Sequence, residues 1–94
     1  MEFEWDAEKA ASNVAKHGVT FPEAMTVFGD PLELAIAGPH SEDECWFLSM
    51  GLSATGRLLV VAYTEREGRT RIISAREATL RERRQYESTL SPKR

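Results

Sequence analysis

Arg57-Leu58-Leu59-Val60-Val61-Ala62-Tyr63-Thr64-Glu65-Arg66-Glu67-Gly68-Arg69-Thr70-Arg71-Ile72-Ile73-Ser74-Ala75-Arg76 decides the fold. Leu58, Leu59, Val60, Val61 and Tyr63 form a nearly unbroken apolar run. A strand over Arg57–Arg66 would therefore bury both faces and lie inside a sheet rather than at its edge. Glu67-Gly68 is a two-residue hairpin signal, and Arg69–Arg76 reads as the antiparallel return strand. Period-two alternation puts Arg71, Ile73 and Ala75 on one face and Ile72 and Ser74 on the other. Arg76 would join the second face if the strand runs unbroken.

The pattern extends outward in both directions. Upstream, Trp46–Ser53 and Leu32–Ala37 are two further strands. Ala54-Thr55-Gly56 and the polar loop Gly38-Pro39-His40-Ser41-Glu42-Asp43 connect them. Phe3 and Trp5 alternate with Glu2, Glu4 and Asp6 as a short first strand. Asp6 is placed to N-cap a helix from Ala7 to about His17, and Gly18 sits where a left-handed helix end belongs. Thr20 and Glu23 have capping-box spacing with Pro22 in the first turn, and Gly29-Asp30-Pro31 stops this second helix. Downstream, Thr79 and Glu82 repeat the spacing, starting a last helix near Leu80 that runs to about Thr89. The sequence predicts one α+β domain over residues 1–90, with two N-terminal helices and a C-terminal helix packed on a small antiparallel sheet. Residues 91–94 are expected to be a short flexible tail.

The chain has 94 residues, 41% hydrophobic and 29% charged, with a net charge of −3. That charge is unevenly distributed. Up to position 65 there are three Lys or Arg against eleven Asp or Glu, a net −8. From 66 onward nine face four, a net +5. A basic C-terminal third suits a polyanion or an acidic partner. No apolar stretch reaches the roughly 18–20 residues of a membrane span. The acidic N-terminus lacks the features of a secretory signal. One cysteine, Cys45, fits a reducing compartment. A cytoplasmic protein without a membrane partner is expected.

Three groups of residues carry chemistry. Lys9, Asn13 and Lys16 fall on one face of the first helix, with His17 beside Lys16. The plain alternative is a solvated helix face, but an imidazole can also give and take protons near neutrality. Arg71 and Arg76 lie on the last strand, where a terminal arginine suits bidentate phosphate binding or an ordinary surface ion pair. The last helix is covered by Arg81, Glu82, Arg83, Arg84, Gln85 and Glu87 around Tyr86. Such a surface meets RNA or a protein partner, or simply faces water with i,i+4 pairs such as Arg83–Glu87. His40 reads as a surface loop residue.

Other chemistries drop out. One cysteine and two distant histidines give no metal-ligand spacing, and neither a phosphate-binding glycine loop nor a Gly-x-Ser-x-Gly elbow is present. Acid–base and electrostatic chemistry from Arg, Lys, His, Tyr and Glu remains. RNA suits that set, because its own 2′-hydroxyl can attack the adjacent phosphate. The protein need only position the strand, stabilise the charge and move protons. No cofactor is expected.

The blocks Trp5-Asp6-Ala7-Glu8-Lys9, Asn13-Val14-Ala15-Lys16-His17-Gly18-Val19-Thr20-Phe21, Glu23-Ala24, Val27-Phe28 and Asp30-Pro31 resemble the opening of the BrnT toxin family. Arg71–Arg76, Ala78-Thr79, Arg81-Glu82-Arg83 and Tyr86-Glu87 resemble its closing motif. The resemblance implies a RelE-like fold and a bacterial ribonuclease toxin of a type II toxin–antitoxin system. It also implies a BrnA-type antitoxin that neutralises the toxin in a complex binding operator DNA. Catalytic roles would fall to Arg76 first, then His17, Glu82 and Tyr86, with Lys9, Lys16, Arg71 and Arg83 contacting RNA. The sequence departs from the family where Cys45-Trp46 replaces an arginine after the acidic pair Asp43-Glu44. A non-catalytic nucleic-acid-binding or repressor module is the rival function, and a toxin-derived interaction protein without activity is a third.

Overall fold

The computed structural model describes residues 2–36 and 46–90. Along the chain run β1 (Glu2–Glu4), α1 (Ala7–His17), α2 (Phe21–Met25), a 3-10 turn (Thr26–Gly29), β2 (Leu34–Ile36), β3 (Phe47–Leu52), β4 (Leu58–Arg66), β5 (Arg69–Glu77) and α3 (Leu80–Leu90). The loop expected at 38–43 with His40, the acidic pair before Cys45, and the tail at 91–94 lie outside the described residues.

The strands form one sheet in the order β1-β5-β4-β3-β2. β4 is central, and its alternation feeds two cores. Leu59 and Val61 point to one face, where they are buried with Val19, Phe21, Ala24, Val27, Ile72 and Ala75. Leu58 and Val60 point to the other, with Met50 and Tyr86. α1, α2 and the 3-10 turn cover the first face, and α3 lies on the second. Full burial of side chains such as Phe21 or Leu59 contributes about 1.5–3 kcal/mol each. Gly51 lets the 3-10 turn approach β3 closely. A Cβ there would lie 3.1 Å from Val27 Cγ1 and 3.2 Å from Asp30 Oδ2.

Two features depart from the sequence pattern. The sheet is mixed rather than wholly antiparallel. β2 to β5 form the expected meander, but β1 pairs parallel with β5, Glu2 opposite Arg69 and Glu4 opposite Arg71. The two helices between β1 and the meander return the chain so that the edge left for β1 runs in the same direction. The second departure is a bulge in β5. Ala62 opposes Ser74 and Tyr63 opposes Ile72, leaving Ile73 as the extra residue. Directly opposed residues share a face, so the bulge reverses the alternation. Ile72 and Ala75 both enter the first core. Arg71, Ser74 and Arg76 lie together on the α3 face, opposite Thr64, Ala62 and Val60.

Candidate functional site

β1 is only three residues long and pairs with β5 no further than Arg71. Beyond that point the edge of β5 would be bare, and α1 closes part of it. Asn13 is 3% exposed and acts as a one-residue substitute strand. Its Nδ2 donates to Ala75 O at 2.8 Å and to Val19 O at 2.9 Å, and its Oδ1 accepts from Ala75 N at 3.0 Å. Both backbone groups of an edge residue are thereby satisfied. The turn after α1 is held as well, where Gly18 adopts φ 68° and returns its N–H to Val14 O.

This clamp sets a shallow cleft between α1 and the β5 edge. Lys9, Ser12, Asn13, Lys16 and His17 line one wall, and Ile73 and Ser74 line the other. Lys9, Lys16 and His17 are exposed. None of the three has an ion-pair partner among the described residues. Asp6 accepts the Lys9 backbone N–H as the helix cap.

Arg76 follows Ala75 directly and leaves the strand on the α3 side. Its Nη1 and Nη2 donate to Glu82 Oε1 and Oε2 at 2.8 and 2.9 Å, and Nη1 also reaches Glu77 O. The pair is bidentate, the strongest geometry available to these groups. Glu82 in turn accepts from Thr79 N at 2.9 Å, and Thr79 Oγ1 accepts from Glu82 N at 3.2 Å, completing the capping box. The Arg76 guanidinium and the Thr79 amide hold the Glu82 carboxyl at a pKa of about 2, against the pull of burial. A carboxylate held so low is a poor proton acceptor near neutrality. Arg76 itself is 37% exposed and keeps its Nε–H and one Nη2–H for other partners.

The remaining sequence candidates are dispersed. Arg71 joins Glu4 at 3.3 Å, and Arg83 faces Glu87 at 3.9 Å. Tyr86 is 2% exposed, packed on Met50, Leu58 and Val60, and its hydroxyl donates to Asp30 Oδ2. Burial and the Asp30 carboxylate push the phenol up to about 12. Tyr86 thus presents no ring face for base stacking. Trp46, at the position of the sequence departure, is half-buried just before β3.

The structure also brings together groups that pattern analysis passed over. Glu23 accepts from Arg57 Nη2 at 2.6 Å, Ser53 Oγ at 2.7 Å and Thr55 Oγ1 at 2.6 Å. Arg57 extends to Glu77 and to Gly18 O. Hydrogen bonding from Arg57 lowers the Glu23 carboxyl to about 2. This cluster joins α2, the β3–β4 turn and the end of α1, and its donors and acceptors are spent on one another. Asn13 had one available signal. An asparagine in a helix interior is disfavoured unless its amide has a partner to bind.

Among the described residues no helix is long and apolar enough to cross a membrane, and no three His, Cys, Asp or Glu side chains gather as metal ligands would. The family model described as "Ribonuclease toxin, BrnT, of type II toxin-antitoxin system" matches residues 5–82. The crystal structure of the Brucella abortus ribonuclease toxin BrnT superposes with a TM-score of 0.63. It shares 23% identity over 84% of this chain and 97% of that one, which shows a common fold. Among curated proteins there is no match.

Proposed function

Because this chain belongs to the BrnT family of ribonuclease toxins of type II toxin–antitoxin systems, we propose that it is a metal-independent RNA endonuclease whose substrate crosses the open edge of β5. The observation that carries this is the cleft between α1 and β5. Lys9, Lys16 and His17 converge there without ion-pair partners, in a fold that pairs Arg57, Arg69, Arg71, Arg76 and Arg83 with carboxylates.

In this mechanism Lys9 and Lys16 hold the phosphates flanking the scissile bond, and Arg71 and Arg83 extend the basic surface for more distant ones. The 2′-oxygen attacks the adjacent phosphorus as its proton leaves, and the bond to the 5′-oxygen breaks. The products are a 2′,3′-cyclic phosphate and a 5′-hydroxyl, with no external nucleophile consumed. His17 transfers the proton, since imidazole serves as both donor and acceptor near neutrality. The free N–H groups of Arg76 stabilise the charge that develops on the phosphoryl oxygens. Glu82 positions Arg76, and Tyr86 fixes α3 rather than touching RNA. Growth inhibition in the cytoplasm follows from RNA loss, and a BrnA-type antitoxin that also binds operator DNA neutralises the toxin.

Purified protein should cleave RNA and leave DNA of equal sequence intact, with no loss of rate in EDTA. His17→Ala and Lys16→Ala should reduce cleavage while the fold persists. Cleavage abolished by chelation would overturn the metal-free mechanism, and full activity in both variants would move the site away from the cleft.

A further inference from the structure

Among the described side chains of α3 only Tyr86 is fully buried, and the helix faces outward with the opposite row. Leu80 and Arg84 are i and i+4 on that row, and Arg81 flanks them. Leu80 is 63% exposed, the most exposed large apolar side chain among the described residues. Arg81 and Arg84 have no ion-pair partner among the described residues, whereas Arg83 has Glu87.

Leu80 is not isolated. Leu52 and Leu58 oppose one another across β3 and β4, and Leu58 O accepts the Ala78 amide at 2.9 Å. An apolar row thus crosses the end of the sheet and leads to the start of α3. At its far end Asp30 accepts the backbone N–H groups of both Leu32 and Leu52, at 2.9 and 2.8 Å, drawing these two leucines together. They are 46% and 41% exposed. Of the five exposed large hydrophobics among the described residues, Leu32, Leu52 and Leu80 belong to this row. Apolar surface gathered this way and rimmed by charge marks an interaction site.

From this arrangement we infer that the sheet end beside α3 is a protein-docking surface for the antitoxin, taking an amphipathic segment that bears acidic residues. Leucines at Leu32, Leu52 and Leu80 would seat its apolar face, and Arg81 and Arg84 would pair with its carboxylates. RNA fits the surface poorly. Exposed leucines offer nothing to a phosphate backbone, and the one aromatic ring of α3 is buried. None of Leu32, Leu52 and Leu80 lines the α1–β5 cleft, so the apolar part of partner binding can be dissociated from RNA cleavage. The inference takes its partner from the family and does not require the cleft to be the RNA site.

Two double variants test it, against the purified product of the gene adjacent to that of the toxin. Leu52→Ser with Leu80→Ser should weaken the complex by at least about tenfold, as loss of buried anchors does. Arg81→Glu with Arg84→Glu should slow association and abolish most of its dependence on salt. Without the partner, the leucine variant, which leaves the charge of α3 unchanged, should cleave RNA at the wild-type rate. Wild-type affinity in both double variants would overturn the inference. Unimpaired partner binding with loss of RNA cleavage would overturn it too, by assigning the surface to RNA. An inactive wild-type protein would instead refute the proposed ribonuclease, leaving the binding result to stand on its own.

Discussion

Replacing Asn13 by alanine should cost more than any surface charge in this protein. The side chain satisfies three backbone groups, Val19 O, Ala75 O and Ala75 N–H. Leaving a buried polar group unpaired costs about 1–3 kcal/mol. The cleft lined by Asn13 is open to water, which can re-solvate part of what is exposed. The lower end applies, a loss of about 3–4 kcal/mol in all. A chain of 94 residues has roughly 5–14 kcal/mol to lose, at about 0.05–0.15 kcal/mol per residue. At about 4–8 °C per kcal/mol the Tm should fall by roughly 12–30 °C. Asn13→Asp gives a signed control. A carboxylate facing two carbonyl oxygens has its folded pKa raised above the unfolded value of about 3.9. The penalty is then full above the folded pKa and is relieved as pH falls through it. Thermal melts of both variants at pH 5 and pH 8 decide the matter. An alanine variant melting within 3 °C of wild type would refute the clamp, as would an aspartate variant without recovery in acid.

Arg76→Ala should lower RNA cleavage by about 10²–10³, the cost of one lost charged contact to a transition state. Arg76→Lys should recover little of it, because Glu82 binds a planar fork; a folded alanine variant with wild-type rates would remove Arg76 from the chemistry. Glu23 and Glu82 both have folded pKa values of about 2, below an unfolded value of about 4.3. Their stabilisation is complete above the unfolded value and is lost as pH drops toward 2, so melts from pH 7 to 2 should fall steeply only below about 4.5. Glu82→Gln should shallow that acid slope, and an unchanged slope would contradict the Arg76 pairing. Tyr86→Phe keeps the ring in the core but leaves Asp30 short of one donor, and urea unfolding should show a loss of about 1–2 kcal/mol. A phenylalanine variant as stable as wild type would show that the hydroxyl does not hold α3.

Much of the architecture is legible in the chain. Asp6, Thr20 and Thr79 each cap the helix their spacing announces. The apolar run at Leu58–Val61 becomes the strand buried on both faces. What escaped pattern reading depends on partners distant in sequence. The parallel docking of β1 is set by which edge the helices leave open, and Phe3 and Trp5 carry no mark of direction. The bulge at Ile73 has no residue signature, since Ile72, Ile73 and Ser74 alternate as plausibly without it. Tyr86 reads as a surface aromatic among arginines, yet it is this ring, and not Leu80, that α3 sends into the core. The sequence marks Arg76 and Glu82 as candidates but not as a pair, because six residues spanning a strand end and a helix start fix no distance. Periodicity puts Asn13 on the face of Lys9 and Lys16. The structure keeps it on that face, but periodicity carries no sign that the face abuts the part of β5 that β1 leaves unpaired.

The pairing of β1 with β5 spans 67 positions, and this bears on how the protein is made. At about 5–20 residues per second, a ribosome needs roughly 4–15 s to reach Arg76. Until then α1 has been synthesised without the strand that Asn13 clamps, and the cleft does not exist. A nascent chain therefore carries its lysines and His17 with no opposing wall while it is still attached to the ribosome. The cleft is thus completed only when the last strand is made, and a chain that ends before β5 lacks the wall that Ile73 and Ser74 supply.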